Sequence, residues 1–369
     1  MPNQTILIKP SSGNCNMNCK YCFYYDVMEH RGVKNYGFMS ECTMENIVKK
    51  ALEYADNMVG FAFQGGEPTL IGLEFYEKFV ELVTKYNSKK IRTDFFIQTN
   101  GISINDAWAI FLKKNHFLAG ISMDGPKEIH DQNRKDKTGK DTFNRVLKTV
   151  QLFNKYKVEY NVLCVVSKGI AKHPTKVYEF FKKNNIQFMQ FIPCLDEFDK
   201  VGKNKYSLLP QDYGNFLCQL FDLWYQDIVK GNIVSIRMFD NIVQMLMGYP
   251  PESCDMHGRC SVNPVIESDG SVYPCDFYVL DEWRLGNINE HSFHELKNNR
   301  IGKEFVDKSI TKPEECLQCK FLNICRTGCK RHAVLGENME NKNYFCDSYK
   351  MFYVHTLNRF IEIARKFNP

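Results

Sequence analysis

The sequence predicts an α/β fold in which a curved, partly open barrel of six strand–helix units precedes a small cysteine-rich domain and a C-terminal helix. Two observations support this prediction. Strand-like and helix-like segments alternate over the first 195 residues, and eight of the fifteen cysteines lie between Cys254 and Cys346. Such alternation gives a parallel sheet with right-handed crossovers, and six units are too few for the closed barrel of eight.

Hydrophobic spacing places the elements of the predicted barrel. Short segments rich in β-branched and aromatic residues are predicted strands, at 5–9, 60–64, 92–99, 117–123, 158–166 and 187–193. Stretches with apolar residues on one helical face are predicted helices, at 44–55, 73–86, 105–114, 143–153 and 174–183. Because function in such barrels sits at the carboxyl ends of the strands, we expect the loops after these strands to form the site.

Length and composition favour an enzyme over a nucleic-acid or membrane protein. The 369 residues carry a net charge of +5 with lysines spread along the chain, and no stretch approaches the ~20 apolar residues of a membrane span. The first ten residues lack the apolar core of a secretory signal, which predicts a reducing cytoplasm and argues against disulfides. We expect a barrel domain at 1–235, a cysteine-rich domain with its linking helix at 236–346, and a C-terminal helix at 347–369.

A cysteine triplet follows the first predicted strand. Cys15, Cys19 and Cys22 stand in the run C-N-M-N-C-K-Y-C. Three thiolates ligate three irons of a [4Fe–4S] cluster and leave the fourth iron open for a ligand that is not protein. Tyr21 supplies a ring that can lie against a purine. Taken alone, the triplet is equally compatible with zinc, for which His30 is a candidate fourth ligand.

A second cysteine series fills the C-terminal third of the chain. After Cys254 it follows the spacing C-x14-C with a glycine inside, and then C-x2-C-x5-C-x3-C and a last cysteine. Eight thiolates suffice for two fully ligated [4Fe–4S] clusters, and two structural zinc ions are the alternative. The series consists of Cys254, Cys260, Cys275, Cys316, Cys319, Cys325, Cys329 and Cys346. The other four cysteines match no motif and are predicted to be buried apolar residues: Cys42, Cys164, Cys194 and Cys218.

Polar and glycine-rich turns follow several predicted strands. The second strand runs into Gln64-Gly65-Gly66-Glu67, where two glycines allow close approach of a ligand and the glutamate can accept from an ammonium group; an ordinary tight turn is the alternative. Polar residues end the third strand at 98–101 and the fourth at Ser122 and Asp124, and they are candidate ribose binders or simple helix caps. Arg134 is a candidate clamp for a carboxylate.

These motifs together resemble the radical S-adenosylmethionine superfamily. The cysteine triplet with an aromatic before its last member is the hallmark of that superfamily, and G-G-E-P matches its methionine-amine motif. The later series is similar to the SPASM extension, so the resemblance covers nearly the whole chain and implies S-adenosylmethionine and three [4Fe–4S] clusters as cofactors. It implies Gly66 at the methionine end of the cofactor and Leu195 against the adenine.

The resemblance also implies how the later cysteines are shared between two auxiliary clusters. The first set is Cys254, Cys260, Cys275 and Cys329. The second set is Cys316, Cys319, Cys325 and Cys346.

Within the superfamily, the run K-P-S-S-G-N-C-N-M-N-C-K-Y-C-F-Y-Y resembles the anaerobic sulfatase-maturating enzymes. These oxidise a cysteine or serine of a nascent or unfolded sulfatase to Cα-formylglycine through hydrogen abstraction from Cβ by a 5′-deoxyadenosyl radical. The resemblance implies a flavodoxin- or ferredoxin-type electron donor. Asp276, directly after Cys275, is a candidate general base or a turn aspartate beside a ligand. A peptide-crosslinking SPASM enzyme and a non-catalytic iron–sulfur electron carrier are the alternative functions.

Overall fold

The computed structural model describes residues 3–198, 200–335 and 341–367. The strands of this part of the chain are β1 (Gln4–Ile8), β2 (Met17–Cys19), β3 (Met58–Phe63), β4 (Arg92–Thr99), β5 (Phe117–Ser122), β6 (Arg134–Asp136), β7 (Glu159–Val166), β8 (Phe188–Pro193), β9 (Ser235–Ile236), β10 (Val265–Ile266), β11 (Ser271–Tyr273), β12 (Gly286–Asn287), β13 (Ala333–Leu335) and β14 (Asn341–Asn343).

The helices of the described residues are α1 (Phe23–Glu29), α2 (Glu41–Tyr54), α3 (Leu73–Tyr86), α4 (Asp106–Lys114), α5 (Lys127–Asn133), α6 (Phe143–Tyr156), α7 (Lys168–Ala171), α8 (Pro174–Lys183), α9 (Pro210–Val229), α10 (Arg237–Leu246), α11 (Phe293–Lys297), α12 (Arg300–Asp307), α13 (Glu314–Leu317), α14 (Leu322–Cys325) and α15 (Cys346–Phe367). The alternation of strands and helices predicted from the sequence is confirmed. All six predicted strands and all five predicted helices form, with ends that differ by no more than three residues.

The chain forms two compact units, each assembled from separate stretches of sequence. The first unit comprises Met1–Ser122, Asp131–Tyr160 and Val262–Phe305, and the second comprises Met123–His130, Asn161–Ser261 and Val306–Pro369. These units are defined by contacts in space, and the domain boundaries expected from the sequence remain a prediction.

The first unit is built on a sheet whose strand order is β12-β11-β10-β1-β3-β4-β5. The strands from β10 to β5 pair in parallel, and β11 and β12 add antiparallel partners at one edge. Strand β10 pairs directly with β1, through Leu7 with Val265 and Ile8 with Ile266. A hairpin that follows Cys254 and Cys260 in the sequence therefore extends the sheet that begins at the N-terminal strand.

Aromatic side chains from three adjacent strands form the core of this sheet. Phe95 and Phe117 stack with ring centroids 5.0 Å apart, and Phe61 stacks on Phe95 at 6.0 Å. Phe79 from α3 meets Phe61 edge-on at 5.0 Å. The amphipathic spacing of α3 places its apolar residues on this face, so the helix covers the sheet and leaves the strand ends clear for the site.

The second unit contains three parallel strands, β7, β8 and β9, and a long helical pair. Helix α9 packs against α15. Phe221 of α9 lies 4.6 Å from Phe360 of α15 and 5.7 Å from Trp224, measured between ring centroids. Both Phe221 and Phe360 are fully buried. In the described part of the chain, every helix is too short or too polar to traverse a lipid bilayer.

Replacing Phe221 with alanine is expected to lower the free energy of unfolding by ~3–5 kcal/mol, because it leaves a large cavity between packed helices. Urea unfolding monitored by circular dichroism under anaerobic conditions measures the change. Val229 ends the same helix and is 58% exposed, so Val229→Ala should shift stability by less than ~0.5 kcal/mol. Equal effects of the two substitutions would contradict the packing described above.

Candidate active site

The cysteine triplet lies on a short loop that is held at both ends. Strand β2 pairs antiparallel with β6, which sets Cys19 opposite Arg134. Cys22 precedes α1, and its backbone N–H donates to the Cys19 carbonyl at 3.2 Å. The backbone N–H of Met17 donates to Cys15 Sγ at 3.4 Å. These bonds bring the three cysteines of the motif together at the carboxyl end of β1.

The chemistry of these thiols fits an iron–sulfur cluster. Burial is the main cause that raises the pKa of the Cys15 thiol to about 12, and charge repulsion from Glu67, Cys19 and Cys22 contributes to the rise. Three thiolates this close are unfavourable without a compensating cation, which the irons of a cluster would supply. Among the described residues, no three His, Cys, Asp or Glu side chains converge to hold a single metal ion. His30, the candidate zinc ligand, lies with its Nδ1 3.2 Å from Asp26 Oδ1.

The two glycines after β3 have a clear packing role. Gly66 has φ +51°, and a Cβ added there would lie 2.2 Å from the carbonyl oxygen of Asn14, the residue before Cys15. The next backbone N–H, that of Glu67, donates to the same oxygen at 2.7 Å. Gly65 has φ +88°, and its Cβ would lie 2.4 Å from Lys9 Cε. Both glycines therefore leave room for the chain around β1 and the cysteine loop.

The carboxylate of Glu67 is fully used within the protein. Its Oε1 accepts from the Thr69 hydroxyl at 2.6 Å, the Thr69 N–H at 3.1 Å and the Thr99 hydroxyl at 2.7 Å, and Oε2 accepts from the Asn100 N–H at 2.8 Å. Glu67 is completely buried. This network fixes the G-G-E-P turn against the end of β4, and the role of Glu67 as an acceptor for an ammonium group stays a prediction.

The other predicted contact residues of the first unit lie at the same strand ends. Arg134 Nη1 donates to the Tyr21 hydroxyl at 3.1 Å, and both side chains are buried. Gln98 Nε2 donates to the Ser122 hydroxyl at 3.1 Å. The expected partners of a bound nucleotide therefore already contact one another.

Asp124 and Leu195 belong to the second unit. Asp124 is fully buried, its Oδ1 accepts from the Val165 N–H at 3.2 Å, and its own N–H donates to His130 Nδ1 at 3.2 Å. Leu195 lines a pocket that is open to solvent together with Arg331.

Asp276 is the centre of a polar cluster. Its Oδ2 accepts from the Tyr24 hydroxyl at 2.5 Å and from Gln64 Nε2 at 3.0 Å, and Gln64 Nε2 also donates to the Tyr24 hydroxyl at 2.7 Å. Oδ1 is shielded from solvent and receives no hydrogen bond from the described residues. Desolvation raises the pKa of Asp276, while the charge of Lys9 and the bond from Tyr24 lower it. One carboxylate oxygen is oriented by two donors, and the other has no donor among the described residues.

A buried ion triad lies beside this cluster. Lys9 Nζ and Arg31 Nη1 both contact Glu267 Oε1, at 2.8 and 2.7 Å, and these residues are 2%, 5% and 0% exposed. Lys9 Nζ also lies 4.8 Å from the centre of the Tyr24 ring. The two cations lower the pKa of Glu267 to about 2 despite its burial. The triad joins the end of β1, the segment after α1 and the β10–β11 hairpin.

The later cysteines of the second unit form two groups. Cys316, Cys319, Cys325 and Cys346 line one pocket. Cys329 is close enough to Cys254 and Cys260 for their charges to raise its pKa, although burial is the main cause of that rise to about 12. The first group contains the four cysteines of one ligand set that the family resemblance implies, and the second contains three of the four cysteines of the other set. Cys275, the remaining member, lies in the first unit directly before Asp276.

The four unmatched cysteines are not all buried. Cys164 and Cys194 are buried as expected, with 0% and 4% exposure. The expectation is wrong for Cys42, which is exposed, and for Cys218, which is half-buried. Cys42 lies in the first turn of α2, between the buried positions Thr43 and Met44 and the solvent-facing Glu41. The helical period places Cys42 on the solvent-facing side of α2. Its thiol is too small to determine which face of the helix is buried.

Four residues of the site were not among those predicted from the sequence. Tyr24 lies two positions after Cys22, the last cysteine of the triplet, and this closeness in sequence could have indicated that it belongs to the site. Lys9 interrupts the apolar run of β1, and a lysine there is unusual for a buried strand end. Arg31 and Glu267 carried no signal, since a pairing across 236 residues of sequence is visible only in the fold.

Comparison with known proteins shows the family to which the chain belongs. A model described as the Radical SAM superfamily matches residues 10–181, and one described as the SPASM iron–sulfur cluster-binding domain matches residues 254–320. Fold and site thus define a radical SAM protein with a SPASM domain, as the sequence predicted.

The relatives narrow this class. A cysteine-type anaerobic sulfatase-maturating enzyme of Clostridium novyi is 48% identical over 99% of this chain and 98% of its own length. A serine-type enzyme of Bacteroides thetaiotaomicron is 32% identical, over 95% and 88% respectively. The solved structure of native anSMEcpe with bound AdoMet and Cp18Cys peptide matches with a TM-score of 0.95 and 48% identity, over 99% of this chain and 100% of that one. The chain belongs to the family of anaerobic sulfatase-maturating enzymes.

Replacing Gly66 with alanine is expected to displace the cysteine loop, because the new Cβ would overlap the Asn14 carbonyl. Anaerobically reconstituted Gly66→Ala protein should lack about four irons, the content of one cluster. Gly139 also has positive φ but has no atom within 4 Å of an added Cβ, so Gly139→Ala should keep full iron content and lose only ~1–2 kcal/mol of stability. Normal iron content in Gly66→Ala would contradict the packing role.

Replacing Glu267 with glutamine should lower the free energy of unfolding at pH 7 by ~3–5 kcal/mol, because two buried cations lose their counter-charge. The folded-state pKa of about 2 lies below the unfolded value of ~4.3. The stabilisation is therefore present above pH ~5 and is lost as pH falls toward 2. The difference between wild type and variant in anaerobic urea unfolding should shrink between pH 7 and pH 4.

Glu128 provides a matched control for this substitution. It pairs with Lys176 at the surface, where both side chains are about 60% exposed. Glu128→Gln should cost less than ~1 kcal/mol at either pH. A pH-independent loss in Glu267→Gln would mean that the triad does not stabilise the fold through charge.

Proposed function

We propose that this chain oxidises a cysteine of a sulfatase polypeptide to Cα-formylglycine. The observation that carries the proposal is the Asp276 carboxylate, which Tyr24 and Gln64 orient through Oδ2 within the same compact unit as the cysteine triplet. Its Oδ1 has no donor among the described residues. A desolvated carboxylate with one free oxygen is suited to take a proton from a substrate.

The proposed cofactors are S-adenosylmethionine and three [4Fe–4S] clusters. When bound, they supply a 5′-deoxyadenosyl radical that removes a hydrogen atom from Cβ of the substrate and an acceptor for the electron lost next. Cys15, Cys19 and Cys22 would ligate the cluster that binds S-adenosylmethionine. The two auxiliary sets implied by the family resemblance, Cys254, Cys260, Cys275 and Cys329, and Cys316, Cys319, Cys325 and Cys346, would hold the others.

Asp276 completes the oxidation by accepting the thiol proton at Oδ1. The substrate side chain has then lost one hydrogen atom from Cβ, one electron from the resulting radical and one proton from sulfur, which leaves a thioaldehyde that water converts to the aldehyde with release of sulfide. Tyr24 keeps its proton, because burial and the adjacent Asp276 charge raise its pKa well above the usual range. It therefore orients the carboxylate as a donor and does not compete with it as a base.

The proposed contacts to S-adenosylmethionine are those predicted from the sequence. Tyr21 would stack on the adenine, Ser122 and Asp124 would bind the ribose, and Arg134 would bind the carboxylate. Gly65 and Gly66 would admit the methionine end through the backbone. The remaining cofactor-binding candidates are Gln64, Glu67 and Leu195. Gln64 contacts Asp276, and Glu67 accepts hydrogen bonds from donors within the protein.

Cysteine is the proposed target because cysteine-type relatives are 48–49% identical and the serine-type relatives 28–32% identical. The proposed partners are an unfolded or nascent sulfatase and an external one-electron donor of the flavodoxin or ferredoxin type. Eleven thiols held for clusters require a reducing compartment, which supports a cytoplasmic location. Anaerobic incubation with matched cysteine and serine peptides, followed by mass spectrometry, tests the preference. Faster conversion of the serine peptide would reverse it.

The triple substitution of Cys15, Cys19 and Cys22 by alanine should abolish 5′-deoxyadenosine formation, because no open-iron cluster remains. Wild type should contain about twelve irons and the variant about eight. Chromatography of the nucleoside product and anaerobic iron and sulfide analysis measure both quantities. Retained cleavage of S-adenosylmethionine, or a wild-type content of only about four irons, would refute the assigned sites.

Replacing Asp276 with asparagine should lower formylglycine yield by a factor on the order of 10²–10⁴, the usual contribution of a general base. Asparagine keeps the size of the side chain but cannot accept the proton. Cofactor cleavage and iron content should persist, and deuterium from a Cβ-labelled peptide should still enter 5′-deoxyadenosine. Asp269, which caps Ser271 in the same hairpin, is the control, and Asp269→Asn should retain product formation. A near-wild-type yield from Asp276→Asn would reduce Asp276 to a structural role.

A further inference from the structure

Asn100 has a buried side-chain amide that contacts the cysteine loop. It follows β4, is 7% exposed, and donates from Nδ2 to Asn16 Oδ1 at 2.8 Å and to Cys15 Sγ at 3.8 Å. Its Oδ1 accepts from the backbone N–H of Ile102 at 3.0 Å. One oxygen and both amide hydrogens therefore have partners.

The orientation of this amide follows from its neighbours. A backbone N–H can only donate, so the bond from Ile102 requires the oxygen of the Asn100 amide on that side and the nitrogen on the side of Cys15. The Asn100 backbone is also anchored, because its N–H donates to Glu67 Oε2. The sulfur thus faces a donor that the fold holds in place, and the side chain is not free to bind a ribose hydroxyl.

We propose that Asn100 is a positioning residue that tunes the reduction potential of the cluster held by Cys15. Hydrogen bonds to ligand sulfurs are among the features that set the potential of iron–sulfur clusters. Reduction adds negative charge to the cluster and its thiolates. An N–H dipole directed at the sulfur stabilises that charge more in the reduced state, so Asn100 raises the potential and eases electron entry.

The backbone N–H of Met17 also contacts Cys15 Sγ, but only proline at this position would remove it, and proline would also alter the backbone of the loop. Asn100 is the adjustable donor to this sulfur among the contacts the structure describes. This inference rests on the proposed cluster at Cys15, Cys19 and Cys22, and iron content distinguishes the two claims. If wild-type protein lacks the cluster at Cys15, Cys19 and Cys22, the proposed site is refuted. If that cluster is present and its potential is unchanged in the Asn100 variants, the role of Asn100 is refuted.

Two variants and a control test the proposal in reconstituted holoenzyme. Asn100→Asp keeps the acceptor for Ile102 and removes the donor, and Asn100→Leu removes the donor without adding charge. Ser103→Ala deletes the far end of the same network, where Asn16 Nδ2 donates to the Ser103 hydroxyl at 2.9 Å. Redox titration monitored by electron paramagnetic resonance measures the potential. The relevant cluster is the one whose spectrum changes on addition of S-adenosylmethionine.

Both Asn100 variants should lower the midpoint potential of this cluster. For Asn100→Leu the equilibrium constant for reduction should fall about tenfold, which is equivalent to ~59 mV for one electron. The decrease should be larger for Asn100→Asp. Ser103→Ala should leave it unchanged. An unchanged potential in Asn100→Leu overturns the proposal, since a fall in Asn100→Asp alone would reflect its charge. An equal shift in Ser103→Ala overturns the proposal as well, because Asn100 would then act only through the structure of the loop. Loss of this cluster from both Asn100 variants, with the other clusters intact, also overturns it, because Asn100 would then act only in cluster assembly.

Discussion

The active site depends on one buried carboxylate shared by two cations. Glu267 contacts Lys9 and Arg31 with the same oxygen, and all three side chains are almost inaccessible to solvent. Charges removed from water are costly unless they are paired, so these three segments can be buried only when they meet in this geometry. The meeting point lies next to Tyr24 and Asp276, and the triad thereby determines where the proposed base is held relative to the cysteine loop.

The pairing of β10 with β1 makes this contact possible. It brings the hairpin that carries Glu267 and precedes Cys275 and Asp276 onto the edge of the N-terminal sheet. A segment that belongs to the cysteine-rich region in sequence therefore contributes the proposed base, Asp276, to the strand-end site. Gln64 at the end of β3 and Tyr24 in α1 then orient its carboxylate from two different segments. Asp276 and the cysteine triplet are parts of one compact unit.

The glycines of G-G-E-P show how a motif serves the site through packing. Gly66 lacks a side chain because the Asn14 carbonyl occupies that position, and Gly65 lacks one because Lys9 does. Glu67 links the same turn to Thr99 and Asn100 beyond β4. Asn100 in turn reaches Cys15. A single connected network thus runs from the motif to the cluster loop, which explains why residue types suited to ligand binding instead contact one another.

Local pattern was enough to determine the cofactor class and the elements of the fold. Cysteine spacing is a property of consecutive residues, so the triplet and the later series identified the radical SAM and SPASM domains, and periodicity located the six strands and five helices to within three residues. It could not determine which distant groups meet. The triad of Lys9, Arg31 and Glu267, the saturation of Glu67, and the bond from Asn100 to Cys15 arise from pairings across as many as 258 residues, as between Lys9 and Glu267. Only the tertiary structure decided these contacts, because burial makes unpaired charges and amides unfavourable and leaves few arrangements in which each charged or amide side chain has a partner.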